Sequence, residues 1–291
     1  MGAATSAIDG GSLTPLAVAG AQLADNALAA ADRPFGLWIS GAATFLDNHA
    51  DGGQYAGEVL SLAGGADHAI SKTLLVGVAL GYERGDIDTA FNAGDLVSNG
   101  FTAAPYAGWQ PIPELVLDAT VGVTFLDYDL SRAAGAVEGA FDATRAFGAI
   151  NATGIFRFDR LRLSPLAGVL YFREMQDGYT DSAGTVVDGQ TIDLGRLTAG
   201  VEAGYGIPLG ERLVLEPYAR LEGEFDFIEA DAVTLTTGER FRPGRYGGSV
   251  AGGLNLISGQ GFAGTIEASY DAIGRDDFDS VTVQGTLRLA F

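Results

Sequence analysis

The chain of 291 residues contains no cysteine and only two histidines. Without cysteine there is no disulfide framework, no thiolate metal site and no cysteine nucleophile, and the compartment stays open. No run of about 18 consecutive apolar residues occurs. That excludes a membrane-spanning helix but not a membrane β-barrel, whose strands carry a much weaker hydropathy signal. Cations are scarce, with Lys+Arg 17 against Asp+Glu 37 and a formal net charge of −20. Such a chain repels polyphosphate, so nucleic acid is not an expected partner. No basic segment precedes an apolar stretch at the N-terminus, so no signal peptide is read, and the sequence is expected to be a processed or trimmed chain.

What is plentiful is apolar and small. Hydrophobic residues make up 47% and charged residues 19%, too apolar a balance for disorder. Glycine numbers 43, about twice ordinary usage, with no Gly-X-Y period to suggest collagen.

Alternation gives the class. From Val281 to Phe291 the odd positions read Val281, Val283, Gly285, Leu287, Leu289 and Phe291, and the even ones Thr282, Gln284, Thr286, Arg288 and Ala290. A two-residue period over that length is a strand with one apolar face. The same alternation runs through Phe262 to Asp271 and Leu213 to Asp226. Carried through the chain it predicts twelve strands, near 35–46, 54–70, 73–88, 98–110, 115–130, 140–158, 161–176, 190–208, 213–230, 246–257, 262–273 and 279–291. Many reach the ~9–11 residues that cross a bilayer at a tilt, whereas a soluble strand averages ~5–6.

Loop lengths alternate too. Ser71-Lys72, Pro111 to Glu114, Asp159-Arg160, Gly210 to Arg212 and Ser258 to Gly261 are tight, while Asp86 to Asn99, Asp177 to Gly189 and Glu229 to Arg245 are long and polar. Short turns at one end and long loops at the other are the pattern of outer-membrane barrels. An even strand count places both barrel ends on the periplasmic side, with the long loops extracellular.

A soluble barrel fills its interior with large apolar side chains, but here the polar face carries mid-strand charge. Arg145, Arg162, Glu202, Glu216, Arg220, Glu222, Glu224, Glu267 and Arg288 are therefore expected to line a hydrated lumen, with Leu, Val, Ala and Gly facing lipid. The whole reading is an all-β membrane protein, a 12-stranded antiparallel barrel over 34–291. Residues 13–33 (Leu13 to Ala31 rich in Ala and Leu, with Thr14-Pro15 at the start and Pro34 as a stop) are expected to form a slim α-helix in the lumen. Residues 1–12 are assigned to a linker, the remnant of a passenger junction. In the lumen, Asp25 and Asp32 would meet wall arginines such as Arg145, Arg162, Arg220 or Arg288.

In this arrangement the sequence resembles the translocator domain of autotransporters, the type V secretion family. The resemblance covers almost the whole chain. It rests on a helix joined to strand one at Phe35-Gly36-Leu37-Trp38, the loop Asp51-Gly52-Gly53, and Thr73 to Tyr82. It also rests on Pro105-Tyr106-Ala107, Pro165-Leu166-Ala167 and Pro217-Tyr218-Ala219 as strand starts, and on a terminal Phe291 after Leu287 and Leu289. The family implies a non-enzymatic outer-membrane domain of a Gram-negative bacterium that exports and anchors its own N-terminal passenger. Its partners would be outer-membrane lipid and lipopolysaccharide, the barrel-assembly machinery that reads the terminal strand, and the passenger itself. Some members cut their passenger at an asparagine inside the barrel. The helix here has one asparagine, Asn26, preceded by Asp25, with Glu216, Glu222, Glu224 and Glu267 as acidic lumen candidates. Ala27 leaves the family's paired-asparagine pattern absent, and Asn26 reads rather as a helix-face polar residue that hydrogen-bonds to the wall. The rival class is a plain outer-membrane pore or structural subunit.

Catalytic and cofactor chemistry has little material. His49 falls in a long loop, and His68 toward the turn end of strand two, with Asp67 as its sequence neighbour. Both read as rim residues. Asp276-Asp277-Asp279 and Asp86/Asp88 lack the ligand spacing and turn glycine of a calcium loop. No metal or cofactor is expected.

Overall fold

The computed structural model describes residues 33–50, 53–228, 233–234, 240–241, 244–275 and 277–291. Twelve long antiparallel strands follow one another in chain order. They are β1 (Phe35–Asn48), β2 (Tyr55–Ala69), β3 (Leu74–Thr89), β4 (Gly94–Ile112), β5 (Leu115–Arg132), β6 (Val137–Gly154), β7 (Leu161–Gln176), β8 (Gln190–Tyr205), β9 (Leu213–Ile228), β10 (Tyr246–Ser258), β11 (Phe262–Ile273) and β12 (Phe278–Ala290). Each pairs with its neighbours, and β12 returns to β1 in continuous register from Gly36↔Ala290 to Asn48↔Phe278. The sheet is closed. Two short pieces, Phe156–Phe158 and Ile207–Pro208, extend the ladders of β7 and β9 at the tight-turn end.

The alternation that predicts the strands also sets their faces. On β1, Trp38, Ser40, Thr44, Leu46 and Asn48 are buried, while Phe35, Leu37, Ile39 and Phe45 are about half exposed. The outward apolar side chains form one belt around the wall, including Leu60, Leu62, Val78, Leu80, Val121, Ile150, Val201, Leu221, Leu254, Ile266 and Leu287. Aromatic rings bound it. Phe45, Tyr82, Phe101, Phe125 and Tyr171 stand toward the long-loop end, and Phe35, Trp109, Phe156, Phe158, Tyr205 and Phe291 toward the tight-turn end. Phe35 and Phe45 are ten residues apart on one strand, which at a tilt of ~40° spans ~25 Å, the height of a membrane-facing band.

Two boundaries differ instructively from the sequence reading. The segment 86–99 is not a long loop. β3 runs to Thr89 and β4 begins at Gly94, joined by the 3-10 turn Ala90–Asn92 with Ala93 left-handed at φ 49°. Polarity there marks the height at which the wall leaves lipid, not the end of the strand. Pro105 lies in the second half of β4 rather than at a strand start, and the β4–β5 ladder passes over it between Ala103↔Val123 and Tyr106↔Thr120. Pro165 and Pro217 do sit near the starts of β7 and β9. Residues 13–31 lie outside the described residues.

Candidate functional site: the polar lumen

The inward face of the wall carries charge in four buried networks, each tying together strands that are not adjacent. At the tight-turn end, Arg288 of β12 holds Asp67 of β2 with two guanidinium nitrogens at 2.5 and 2.6 Å. The Tyr106 hydroxyl donates to the same carboxylate at 2.9 Å, and the Trp38 indole donates to Tyr106 at 2.7 Å. The bridge passes over β1 at Gly36, where a methyl group would collide with both the guanidinium and the carboxylate.

A second network crosses β3, β5, β6 and β7. Arg145, fully buried, donates to Glu83 at 3.0 Å and to Glu174 at 2.8 Å, and Tyr128 donates to Glu174 at 3.0 Å. The third centres on Arg162, which reaches Glu216 at 2.6 Å, Glu202 at 2.7 Å and the Ser164 hydroxyl at 2.8 Å. Glu202 links it to Arg220, which also holds Glu222 and Glu267, both at 2.8 Å, while Tyr218 donates to Glu267 at 2.6 Å. The fourth, nearer the long loops, joins Arg196 and Arg275 to Glu224 and Asp226. Charge taken out of bulk water needs such partners, and a forked guanidinium can hold two carboxylates at once.

Among the described residues two inward carboxylates of the wall form no ion pair with an arginine. Asp118 accepts from Asn151 at 2.8 Å through one oxygen, and its other oxygen is buried without a hydrogen-bond partner. Asp271 takes hydroxyl donors from Ser269 and Thr282. Aromatic rings fill the space over glycines along the same face. A side chain at Gly77 would meet the Tyr106 ring, one at Gly122 the Phe147 ring, and one at Gly253 the Tyr218 ring.

Polar groups at this density inside a closed wall, with apolar groups at alternate positions outside, describe a barrel with a polar interior and a membrane-type outer face. The autotransporter β-domain family model matches residues 37–271. The chain belongs to the autotransporter β-domain family. Solved autotransporter domains share the fold. The β domain of the Bordetella autotransporter BrkA aligns with TM-score 0.71 at 21% identity, covering 89% of this chain and 100% of that one. The translocator domain of NalP from Neisseria meningitidis aligns with TM-score 0.71 at 15% identity over the full length of both. The transport unit of AIDA-I from Escherichia coli gives 0.68 at 15% identity, covering 89% and 90%. The protein YaiT of Escherichia coli K12 is 26% identical over 211 residues, which is 70% of this chain. The chain spans only 21% of the length of that relative.

The autotransporter barrel places the remaining sequence-marked residues as follows. Leu287 and Leu289 face outward, and Phe291 stacks against Phe35 at 6.2 Å, its amide donating to the Phe35 carbonyl oxygen at 2.9 Å. His68 stacks on Phe35 at 4.6 Å, and His49 lies exposed between Asp47 and Asp279. Asp86, Asp88 and Asp279 line a groove of about 600 Å³ on the outside of the wall together with Asp47 and Glu58, away from the lumen. Asp25 and Asn26 lie outside the described residues. Arg145, Arg162, Arg220 and Arg288, expected to receive Asp25 and Asp32, each hold carboxylates of the wall itself. Glu83, Asp118, Glu174, Arg196 and Arg275 were not singled out from the sequence, and Asp67 and Asp226 stand out there only as the neighbour of His68 and the end of an alternating strand. Parity alone marks them as inward, but without a partner in view an isolated acid on a polar face reads as solvated.

The connection between β7 and β8 also has structure. Tyr179–Thr180 pairs with Val186–Val187, and the Tyr179 ring stacks on Phe141, which stacks on Tyr128 of the lumen wall. Asp181 anchors this hairpin, accepting from the amides of Thr185 at 2.8 Å and Ala183 at 3.0 Å and pairing with Arg132. The Thr185 amide, with Ala183 and Arg132 beside it, holds the Asp181 carboxyl below the usual range.

Proposed function

We propose that the chain is an outer-membrane translocator that carries a passenger segment attached at its N-terminal side to the cell surface and anchors it there. The tight turns face the periplasm and the long loops face outward. The lumen carries this reading: it is polar, its bridged arginines are held by carboxylates of the wall, and it is closed by a β12–β1 seam. A chain crossing it therefore meets a polar wall whose cations are tied up in ion pairs and whose residual charge is acidic. The passage involves no bond-making step by the barrel, and no cofactor. Asp25 and Asn26 belong to the segment proposed to plug the lumen, where they would hydrogen-bond to the wall. The partners are membrane lipid and lipopolysaccharide, the assembly machinery and the passenger.

The test is surface display. An epitope placed before residue 1, behind a secretory signal, should become accessible to antibody and protease on intact cells when the barrel assembles. Retention of the epitope in the periplasm beside a correctly folded barrel would overturn the reading in favour of a plain pore or structural subunit. Single cysteines in turn 258–261 and hairpin 179–187 report orientation separately, the first labelled only after the outer membrane is opened.

A further inference from the structure

We propose that two adjoining tight turns, 158–161 and 209–213, form a docking surface for a zwitterionic phosphoethanolamine lipid head group. Membrane residence suffices for the surface itself; its assignment to the periplasmic leaflet rests on the orientation proposed above.

Each turn carries an acid followed by a base, Asp159-Arg160 and Glu211-Arg212, and all four side chains are exposed. None of them forms an ion pair among the described residues, in contrast to the arginines of the lumen, which are bridged. The turns touch: the Gly206 amide donates to the Arg160 carbonyl oxygen at 2.8 Å, and Ile207–Pro208 leads directly into the second turn, closed by Leu209 N to Leu213 O at 2.7 Å. Phe158, Leu161, Ile207 and Leu209 are exposed beside these charges and end the apolar belt. The four charges therefore sit at the depth of lipid head groups. Arg157 is not part of the surface, because it pairs in register with inward-facing Arg162 and so points toward the lumen mouth.

The mixture of signs selects the partner. A guanidinium fork matches a phosphate, but a carboxylate beside it repels an anionic lipid. A head group with a phosphate and a primary ammonium satisfies both, the phosphate at Arg160 or Arg212 and the ammonium donating to Asp159 or Glu211. A choline head group has the same charges but no N–H to donate.

Native mass spectrometry of the full chain in detergent, titrated with phosphatidylethanolamine, phosphatidylcholine and phosphatidylglycerol of equal acyl chains, tests this. Ethanolamine lipid should be retained about five-fold better than choline lipid, the scale of one net hydrogen bond. Asp159→Asn with Glu211→Gln should abolish that preference, and Arg160→Gln with Arg212→Gln should weaken retention of both lipids. Arg84→Gln, at the opposite end of the wall, should change neither. Equal retention of ethanolamine and choline lipids by the unsubstituted chain would overturn the proposal, as would stronger retention of phosphatidylglycerol or an unchanged preference in the carboxylate variant. These readings involve no secretion step, so their failure is separate from failure of surface display.

Discussion

Gly36 lets an ion pair close the barrel seam. It sits on β1 between the strands that supply Asp67 and Arg288, and the bridge between them occupies the volume a side chain would need. Removing one partner of a buried pair costs about 3–5 kcal/mol, because the other charge is left uncompensated. Asp67→Asn should therefore lower stability by ~3 kcal/mol in urea unfolding of the detergent-solubilised barrel. Gly36→Ala removes no polar group, yet it should destabilise as well, since the methyl displaces the bridge. In an Asp67→Asn/Arg288→Gln background that second cost should shrink, a coupling a double-mutant cycle measures directly. An undiminished cost of Gly36→Ala in that background would mean the glycine serves something other than the bridge. Asp181 offers a pH reading at the same scale. Its folded carboxyl titrates below the ordinary value, so its contribution is complete above the unfolded value of ~3.9 and is lost as pH falls through the folded one. Hairpin 179–187 should thus stay protected from amide exchange at pH 5 and loosen in stronger acid, while Asp181→Asn should be loose at both. Equal protection of the variant would remove Asp181 as the anchor.

At the scale of elements, the strands were legible because a half-buried strand writes its two faces into alternate residues. Phe262 to Asp271 and Val281 to Phe291 show this in full, and β11 and β12 lie there. Boundaries were less legible wherever polarity and strand end part company, as at Asp86, Asp88 and Asp95, which continue β3 and β4 above the apolar belt. The lumen was half legible. Arg145 stands out on a polar face, but its partners Glu83 and Glu174 lie on β3 and β7, and no local pattern marks a contact across three strands. That network yields an element-scale prediction. Arg145 joins β3 to β6 and β7, and its removal leaves Glu83 and Glu174 buried together with no cation between them. Arg145→Met should cost about 3–5 kcal/mol, more than Glu83→Gln, which leaves Arg145 paired with Glu174. Arg145→Lys should recover only part, because a single ammonium lacks the fork that reaches both acids. Full recovery with lysine would show that charge alone, without geometry, holds these strands together.

For the molecule as a whole, the charge inside the wall is out of balance. Among the described residues six arginines are bridged in the four lumen networks (Arg145, Arg162, Arg196, Arg220, Arg275 and Arg288). Against them stand Asp67, Glu83, Asp118, Glu174, Glu202, Glu216, Glu222, Glu224, Asp226, Glu267 and Asp271. Acids exceed bases, and Asp118 and Asp271 form no ion pair with an arginine among the described residues. Residues 1–32 contain no lysine or arginine, only Asp9, Asp25 and Asp32, so that segment brings no cation to correct the excess. A low-dielectric wall with one sign in excess concentrates counter-ions of the other. Current through the barrel in planar bilayers should therefore be carried mainly by cations, seen as a reversal potential under a potassium chloride gradient. Deleting residues 1–31 should raise conductance if that segment fills the bore. The sign of selectivity should survive the deletion, because it belongs to the wall. Asp118→Asn combined with Asp271→Asn should weaken selectivity while leaving the bridged networks and the fold in place. Unchanged conductance on deletion would place the segment outside the bore, and anion preference in the deleted form would mean that the wall's paired acids leave too little field to matter.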